Sequence, residues 1–296
     1  MSGERHRRSG VEASVMRQDE REKPLLRILP GPSMHVPLQG LYLGEPLGPP
    51  LAAGRRFVYA NFIASLDGRI SLPAPSSDRL TVPAAIANPR DFRLFQELLA
   101  SADVLITSGR YVRGLPRGVS SRSFPLSTKP RYADLHEWRR VRGLPPQPAV
   151  AIVTASLDLP SLGALAASGR RVYVATGNAA DRRRAAALES EGAGVLRVGE
   201  GIRVQGRRLI EALSREGHRN IALIGGGEIL RTLLVDGVLD RLYLTLACRV
   251  LGGATFDTLL TGPQLDPPAR FELGALLYDE GAGGVDQLFA ILDAKR

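Results

Sequence analysis

Short apolar runs alternate with amphipathic segments along most of the chain after residue 56. The apolar runs have the length of strands and lie at residues 57–64, 103–107, 149–154, 171–175 and 220–224. Helix-period patterns separate them at residues 89–100, 181–191, 207–216 and 228–235. Strands that alternate with helices and are apolar on both faces are typical of a parallel sheet with helices on each side. The pattern therefore predicts an α/β fold with a mostly parallel central sheet.

The two ends of the chain have other patterns. Near the C-terminus, apolar runs at residues 271–278 and 285–293 flank the turn-rich sequence DEGAGG, which predicts an antiparallel hairpin at the sheet edge. Residues 1–56 are charged and then rich in proline and glycine, which predicts a flexible or extended arm with little regular structure. Residues 57–296 then form one domain.

Composition limits the class of protein. The chain of 296 residues is long enough for one large α/β domain. No apolar run approaches the ~18 residues that span a bilayer, and no apolar segment follows the basic N-terminus as in a secretory signal. The single cysteine, Cys248, excludes an internal disulfide framework. These features predict a cytoplasmic protein without a membrane partner.

Basic residues are in excess and partly clustered. The formal net charge is +9, from 39 Lys and Arg against 30 Asp and Glu. One segment carries much of it, with Arg110, Arg113, Arg117, Arg122, Lys129, Arg131, Arg139, Arg140 and Arg142. Such a local segment suits a phosphorylated small molecule better than a nucleic-acid duplex, and a generally arginine-rich composition explains it equally well. A nucleic-acid-binding protein is an alternative that charge alone supports.

Three consecutive glycines follow a predicted buried strand. Gly225, Gly226 and Gly227 join this strand to a helix that begins near Glu228. Free backbone amides and the positive end of a helix dipole then meet at one point, which favours a phosphate or pyrophosphate site. The spacing differs from G-x-G-x-x-G, and no Walker lysine is present. A tight turn that only needs glycine is the structural alternative, which three glycines in a row make less favourable.

Polar residues also end the first predicted strand, at Ser65 and Asp67-Gly68. The carboxyl ends of parallel strands are where open α/β sheets bind ligands, and the i, i+2 spacing points Ser65 and Asp67 to one side. Asp-Gly is also the commonest turn dipeptide, and on this dipeptide alone a turn is the better explanation.

Four stretches carry a resemblance to a known family: NFIASLDGRIS, SSDRLT, DFRLFQELLASADVLITSGRYV and IALIGGGEILRTLLVDGVLDRLYLTLACRVLGG. In this order they resemble the reductase domain of riboflavin biosynthesis, found in bifunctional deaminase-reductases and in stand-alone pyrimidine reductases. The resemblance runs from Phe57 to the C-terminus. It implies a three-layer, dihydrofolate-reductase-like fold, NADPH as cofactor and a ribosylamino-pyrimidine 5′-phosphate as substrate. It also implies a homodimer, which an uncovered antiparallel edge would favour.

The resemblance also implies roles for single residues. Asp67 matches the carboxylate beside the reacting sugar carbon and is the catalytic candidate. The implied substrate-binding residues are Asn61, Ser65 and Arg79. The implied cofactor-binding residues are Ala64, Thr81, Ser108, Gly109, Thr176, Gly225, Gly226, Gly227, Glu228 and Ile229. Among these, Ala64 matches the residue under the nicotinamide, and Thr176 matches the place where the adenosine ribose phosphate is held.

The chain departs from the family pattern mainly on the substrate side. The family usually has G-x-G-T-V-x-x-D-D-P where this chain has SGRYVRG, so a threonine and two aspartates are missing. Ile224 replaces an acidic residue that often precedes the glycines, and the basic segment 110–142 replaces a shorter loop. The cofactor side is nearly intact. A nucleotide-binding relative without catalytic activity is therefore the alternative to a reductase.

Overall fold

The computed structural model describes residues 23–50, 55–74, 77–114, 126–166, 169–281 and 284–295, without the side chains of residues 77–79, 164 and 166. The strands are β1 (Leu25–Leu29), β2 (Met34–Val36), β3 (Phe57–Ser65), β4 (Arg69–Ala74), β5 (Ser77–Thr81), β6 (Val104–Ser108), β7 (Ala149–Val153), β8 (Val172–Thr176), β9 (Gly194–Arg197), β10 (Asn220–Leu223), β11 (Arg241–Ala247), β12 (Asp257–Thr258), β13 (Arg270–Asp279) and β14 (Gln287–Lys295). The helices are α1 (Pro89–Ser101), α2 (Gly109–Gly114), α3 (Ala133–Val141), α4 (Gly163–Ala166), α5 (Arg182–Ser190), α6 (Gly206–Arg215) and α7 (Gly227–Val235), with a 3-10 turn before α3.

Most strands form one mixed sheet. Its eleven strands run in the order β2-β1-β13-β14-β11-β3-β10-β6-β7-β8-β9. From β11 to β9 every neighbouring pair is parallel, and from β11 to β2 every pair is antiparallel. Strands β12, β4 and β5 form a separate small sheet. The predicted α/β class, the mostly parallel sheet and the C-terminal antiparallel hairpin are confirmed.

Helices cover both faces of the sheet because its central strands are apolar on both sides. On one face, Val58 and Ala60 of β3 pack against Leu209 and Leu213 of α6 and Leu230 of α7. Successive side chains of a strand point to opposite faces, so the intervening residues of β3 must be buried by another layer.

That second layer lies on the other face and is built mainly by α1 and α3. Tyr59 of β3 and Leu105 of β6 lie in one buried cluster with Leu94 and Leu98 of α1 and Leu135 of α3. The Tyr59 hydroxyl also donates to the Leu98 carbonyl at 2.7 Å. Helix, sheet and helix give the three-layer arrangement that was expected. Among the described residues, no helix combines the length and apolar character needed to cross a membrane.

The segment before Phe57 is more regular than its composition predicts. β1 pairs with β13, and β2 pairs with β1, so the C-terminal hairpin does not lie at the edge of the sheet. The backbone amides of Gly40 and Tyr42 donate to the Glu97 carboxylate of α1. Short apolar stretches between prolines are sufficient for these contacts. The hairpin edge that was expected to favour a dimer is therefore covered by β1, and β2 is the outer strand of the described sheet on that side. Residues 1–22 and 51–54 lie outside the description.

Candidate functional site

Candidate residues from separate parts of the chain meet where the parallel strands end. The carboxyl ends of β3, β10, β6, β7 and β8 form one edge of the sheet, which we call the site edge. Asp67 follows β3, Gly225 follows β10, and Ser108 ends β6. A Cβ atom built on Gly226 would lie 3.9 Å from the Ser108 Cβ, so two of the predicted cofactor segments are in contact.

The glycine turn, Gly225 to Gly227, needs glycine at each position because of its backbone angles or its close packing. Gly225 and Gly226 have φ angles of +108° and +97°, which L side chains rarely adopt. Gly227 is buried, and a Cβ there would lie 3.0 Å from the Leu259 carbonyl oxygen. Among the described residues, none accepts a hydrogen bond from the amides of Gly226, Gly227 and Glu228 at the start of α7. Free amides and the helix dipole make this turn fit for a phosphate group.

The adjoining turn, Ser108-Gly109, brings another stretch of backbone to the same place. A Cβ on Gly109 would lie 3.1 Å from the Thr154 Cβ, so glycine allows α2 to begin directly against the end of β7. The Ser108 hydroxyl accepts from the Tyr111 amide at 3.1 Å and fixes the first turn of α2. Both residues border the glycine turn, where the resemblance places cofactor contacts.

Thr176 is placed differently from what its implied role requires. Its side chain is fully buried at the end of β8, and the hydroxyl has no hydrogen-bond partner among the described residues. A buried hydroxyl cannot reach the phosphate of a ligand at the surface. Exposed basic side chains follow at Arg182, Arg183 and Arg184, which begin α5 after the N-cap Asp181. Sequence resemblance identifies the strand end but not the direction in which its threonine points.

Asp67 is held by several donors. It accepts hydrogen bonds from the Ser65 hydroxyl, from Arg69 Nη1 at 2.6 Å, and from the amides of Leu251 at 3.2 Å and Gly252 at 2.8 Å. The Ser65 and Gly252 hydrogen bonds are the main causes that lower the pKa of Asp67 to about 2. The carboxylate is ionised at neutral pH and fastens the loop after β11 to the end of β3.

Arg69 supports the same loop from the other side. Its Nη2 donates to the Gly253 carbonyl at 3.3 Å, and its guanidinium lies 4.4 Å from the centroid of the Phe256 ring. A cation over an aromatic face is attracted to the ring. Asp67 and Arg69 together therefore hold residues 249–256 against the strand end, a contact that the sequence motif does not reveal.

The remaining predicted residues of β3 and its neighbours vary in accessibility. Ser65 and Ala64 are each 1% exposed, and the Ser65 hydroxyl already bonds Asp67 and accepts from the Arg69 amide. Asn61 is half-buried on the face that α1 covers. Thr81 is exposed at the end of β5, and the side chain of Arg79 lies outside the described residues.

The two residues of the first turn of α7 that were predicted to bind the cofactor differ in exposure. Glu228 is exposed, whereas the Ile229 side chain is 5% exposed and packs in the core. Only the backbone of Ile229 is then available near the glycine turn, and its amide already donates to the Gly226 carbonyl at 3.0 Å. The free amides of this turn are those that precede Ile229.

The basic segment is not a single binding surface. Arg110 lies near the site edge and pairs with Asp257 at 3.2 Å. Arg139 of α3 is buried at the opposite edge and donates to the carbonyls of Ala100 and Ala102. Arg142 lies 3.9 Å from the centroid of the Trp138 ring. The described basic side chains of this segment therefore lie in separate parts of the fold, and Arg117 and Arg122 lie outside the description.

The sequence patterns did not reveal one half-buried pair near the site edge. The Thr245 hydroxyl of β11 donates to the Asp91 carboxylate of α1 at 2.6 Å. Burial raises the pKa of Asp91 to about 6, and the Thr245 hydrogen bond offsets part of this shift. The sequence NPRD resembles an ordinary helix start, because Asn88 caps α1 and an acidic residue in the first turn favours the helix dipole. Only the tertiary structure sets Asp91 apart.

Known proteins resemble this chain in sequence and in fold. A family model described as the RibD C-terminal domain matches residues 56–275. A protein of Archaeoglobus fulgidus named 2,5-diamino-6-ribosylamino-4(3H)-pyrimidinone 5′-phosphate reductase is 26% identical over 219 residues, covering 74% of this chain and 92% of that protein.

Two solved structures share the fold. A pyrimidine reductase-like protein of Corynebacterium diphtheriae has a TM-score of 0.61 at 18% identity, covering 81% of this chain and 92% of that one. RibD of Acinetobacter baumannii has a TM-score of 0.54 at 19% identity, covering 82% of this chain and 59% of that one. At these identities the two structures support the fold alone.

Proposed function

This chain belongs to the RibD C-terminal domain family, the riboflavin-pathway pyrimidine reductases, and we propose that it is an NADPH-dependent reductase. One observation carries the proposal: the glycine turn with its free amides lies at the same sheet edge as the Asp67 strand end. A dinucleotide bound with its phosphates at the glycine turn can then extend along this edge toward Asp67. Binding at the carboxyl ends of parallel strands is the general rule for such sheets.

The residues of the chain fit this cofactor. When bound, the cofactor supplies a hydride. The amides at Gly226, Gly227 and Glu228 offer donors for a pyrophosphate, and the first two glycines keep the approach free of side chains. Asp67 provides a fixed negative charge that stabilises a cationic acceptor as the reaction begins. The chain's contribution is to hold donor and acceptor together and to exclude water.

The proposed acceptor is a ribosylamino-pyrimidine 5′-phosphate or a related phosphorylated molecule. The name of the Archaeoglobus fulgidus relative supports this class, and hydride would add to C1′ of the ring-opened imine. Arg110, exposed beside Asp257 at the site edge, provides positive charge suited to a phosphate. The experiment follows the absorbance of reduced nicotinamide with 2,5-diamino-6-ribosylamino-pyrimidinone 5′-phosphate, with mass spectrometry of the product.

A nucleotide-binding protein without catalysis is the second candidate. Ile224, which replaces an acidic residue of the family pattern, packs against two apolar clusters of the core. A rise in melting temperature with NADPH, in the absence of turnover on the acceptor, would favour this candidate.

We expect NADPH to bind at least tenfold more tightly than NADH, a difference of about 1.4 kcal/mol. Arg182 and Arg183 are exposed at the start of α5, just after the strand end where the 2′-phosphate would lie, and can form charge-assisted hydrogen bonds with it. Titrations of both cofactors at physiological salt measure the preference. The double variant Arg182→Gln/Arg183→Gln should lose it, whereas Arg142→Gln after α3 should keep it. Equal dissociation constants in the parent protein would contradict the choice of cofactor.

We expect a homodimer in solution. With the hairpin edge covered by β1, the supporting feature is an apolar surface groove of about 450 Å³ between α7 and β13. Leu230, Leu234, Leu242, Leu259, Leu260 and Phe271 lie along it. Light scattering at micromolar concentration should give twice the 31.9 kDa mass of one chain, and Leu234→Asp should give a single-chain mass. A monomeric parent protein would refute the expectation.

A further inference from the structure

The Asp91 side chain is half-buried near the site edge, without a cation to hold its carboxyl ionised. No ion pair among the described residues includes it. The neighbouring Arg90 turns away and forms a fully buried pair with Asp279 at 2.9 Å. Arg93, two residues further along α1, pairs with Glu97 and Asp134. Among the described side chains of its own helix, none therefore offers Asp91 a compensating positive charge, and the dipole at the start of α1 is what the helix contributes to the ionised form.

The side chains that face Asp91 from the other elements, Thr245 and Tyr42, carry no charge. From β11 it meets Thr245, whose hydroxyl donates to it. From the segment after β2 it faces Tyr42, a buried phenol whose pKa rises well above its ordinary value, chiefly through burial. The Asp91 charge adds to this rise in the pKa of Tyr42. A carboxyl in such surroundings prefers its neutral form to a higher pH than a solvated one.

Sheet register places Asp91 beneath the candidate reaction site. In the parallel pair of β11 and β3, Thr245 lies opposite Ile63, and the next residue of β11 on that face, Ala247, lies opposite Ser65. The odd-numbered residues of both strands point toward α1. Tyr59 and Tyr243 lie in the same buried cluster as Leu94 of α1, and the centroids of their rings are 5.9 Å apart. Thr245, which Asp91 contacts, therefore lies two residues before the position of β11 opposite Ser65, close to the strand end that carries Asp67.

The two carboxyl groups at this edge differ in what they can do. Asp67 is saturated with donors and stays ionised, so it offers a charge but no proton. Asp91 has one donor, Thr245, and keeps a partly exposed surface. When the surroundings of two titratable groups shift their pKa values in opposite directions, one group can act by its charge and the other as an acid in the same site.

We propose that Asp91 is the proton donor of the reductase reaction, an assignment that rests on the proposed function. The proton leaves the Asp91 carboxyl and forms the new N–H bond at the imine nitrogen, which gives a cationic iminium beside the Asp67 carboxylate. The C1′ carbon of this iminium would accept a hydride with its electron pair from a reduced nicotinamide, and the π electrons of the C=N bond move to nitrogen, so that a secondary amine results. The Asp91 carboxylate then takes a proton from water.

The first test is the dependence of kcat/KM on pH. In the parent protein the rate should fall as pH rises through about 6, because only protonated Asp91 can act. Asp91→Asn should abolish this limb and lower the rate at pH 6 by about tenfold, a modest figure because the imine nitrogen can also take a proton from water. Thr245→Val should move the limb to higher pH, since it removes the hydrogen bond that favours the carboxylate. Asp134→Asn on α3 is the matched control and should leave the profile unchanged.

The second test does not depend on turnover. Carboxyl resonances of 13C-labelled protein should report a pKa near 6 for the resonance that Asp91→Asn removes, and Thr245→Val should raise that pKa. Folding is checked by thermal melts. A raised folded-state pKa means that stability falls as pH rises from about 4 to about 6, so Asp91→Asn should be at least as stable as the parent at pH 7.

The outcomes separate this assignment from the proposed function. A parent protein that oxidises NADPH with the acceptor, together with an Asp91→Asn variant that keeps the parental pH profile, would overturn only the assignment of Asp91. A resonance that titrates near pH 4 would overturn it as well. A parent protein that fails to oxidise NADPH when the proposed acceptor is present would overturn the proposed function and the role of Asp91 with it.

Discussion

Asparagine in place of Asp67 is expected to lower turnover by a factor on the order of 10² or more, with NADPH binding close to that of the parent. The side chain keeps its shape but loses the charge that stabilises a cationic acceptor. A single amide oxygen also cannot replace two carboxylate oxygens that accept from Arg69, Leu251 and Gly252. Charge and loop anchoring therefore fail together in this variant.

Arg69→Gln separates the two effects. It keeps the Asp67 charge but removes the ion pair and the cation over Phe256, so it loosens the loop alone. The measurement is NADPH oxidation on the same acceptor, with NADPH affinity from fluorescence titration. A slow Asp67→Asn with a nearly parental Arg69→Gln indicates that the charge acts in the reaction, and equal losses indicate that Asp67 acts through the loop. Parental turnover in Asp67→Asn would leave Asp67 with the role of a turn residue.

Valine in place of Gly226 is expected to weaken NADPH binding by at least tenfold, a loss of about 1.4 kcal/mol or more. A Cβ at this position makes ordinary contacts with the Ile229 side chain at 3.5 Å and the Ser108 Cβ at 3.9 Å, so the added methyl groups project into the space that a phosphate must enter. The φ angle of +97° adds a backbone strain of about 1–3 kcal/mol for any L residue. The variant is therefore less stable as well as weaker in binding.

A matched glycine separates strain from binding. Gly217, after α6, has a φ angle of +93° and open space around its Cβ position. Gly217→Val should lose stability in thermal melts but bind NADPH like the parent. Titration of the folded Gly226→Val variant then reports the loss that belongs to the phosphate site. If its affinity matches that of the Gly217→Val variant, the glycine turn is not the cofactor site.

The sequence predicted the main elements because their patterns are strong. The helix expected at residues 89–100 is Pro89–Ser101, and the strand expected at 57–64 is Phe57–Ser65. Runs that are apolar on both faces can only lie inside a covered sheet. The stretch from Arg69 to Thr81 has no such pattern, since prolines and serines interrupt it. Its strands β4 and β5 form only because they pair with each other and, for β4, with the distant β12.

The candidate site was predictable where it follows strand ends and not where it depends on packing. The glycine turn and Asp67 were located because both come directly after apolar strands. Asp91 was not, because its partner Thr245 is 154 residues away in the chain. Thr176 shows the converse: the strand end was identified, but the buried direction of the side chain depends on the helices that pack against β8.

The pairing of β1 with β13 sets limits on how the polypeptide can be trimmed. The family match covers residues 56–275, yet β1 and β2 precede it and all of β14 follows it. A recombinant fragment cut at those borders would lack the strand between β13 and β11 and would leave their backbone groups unpaired. A fragment for crystallisation or for fusion to another protein should therefore not be cut inside residues 23–295, the span that holds every strand of the described sheet.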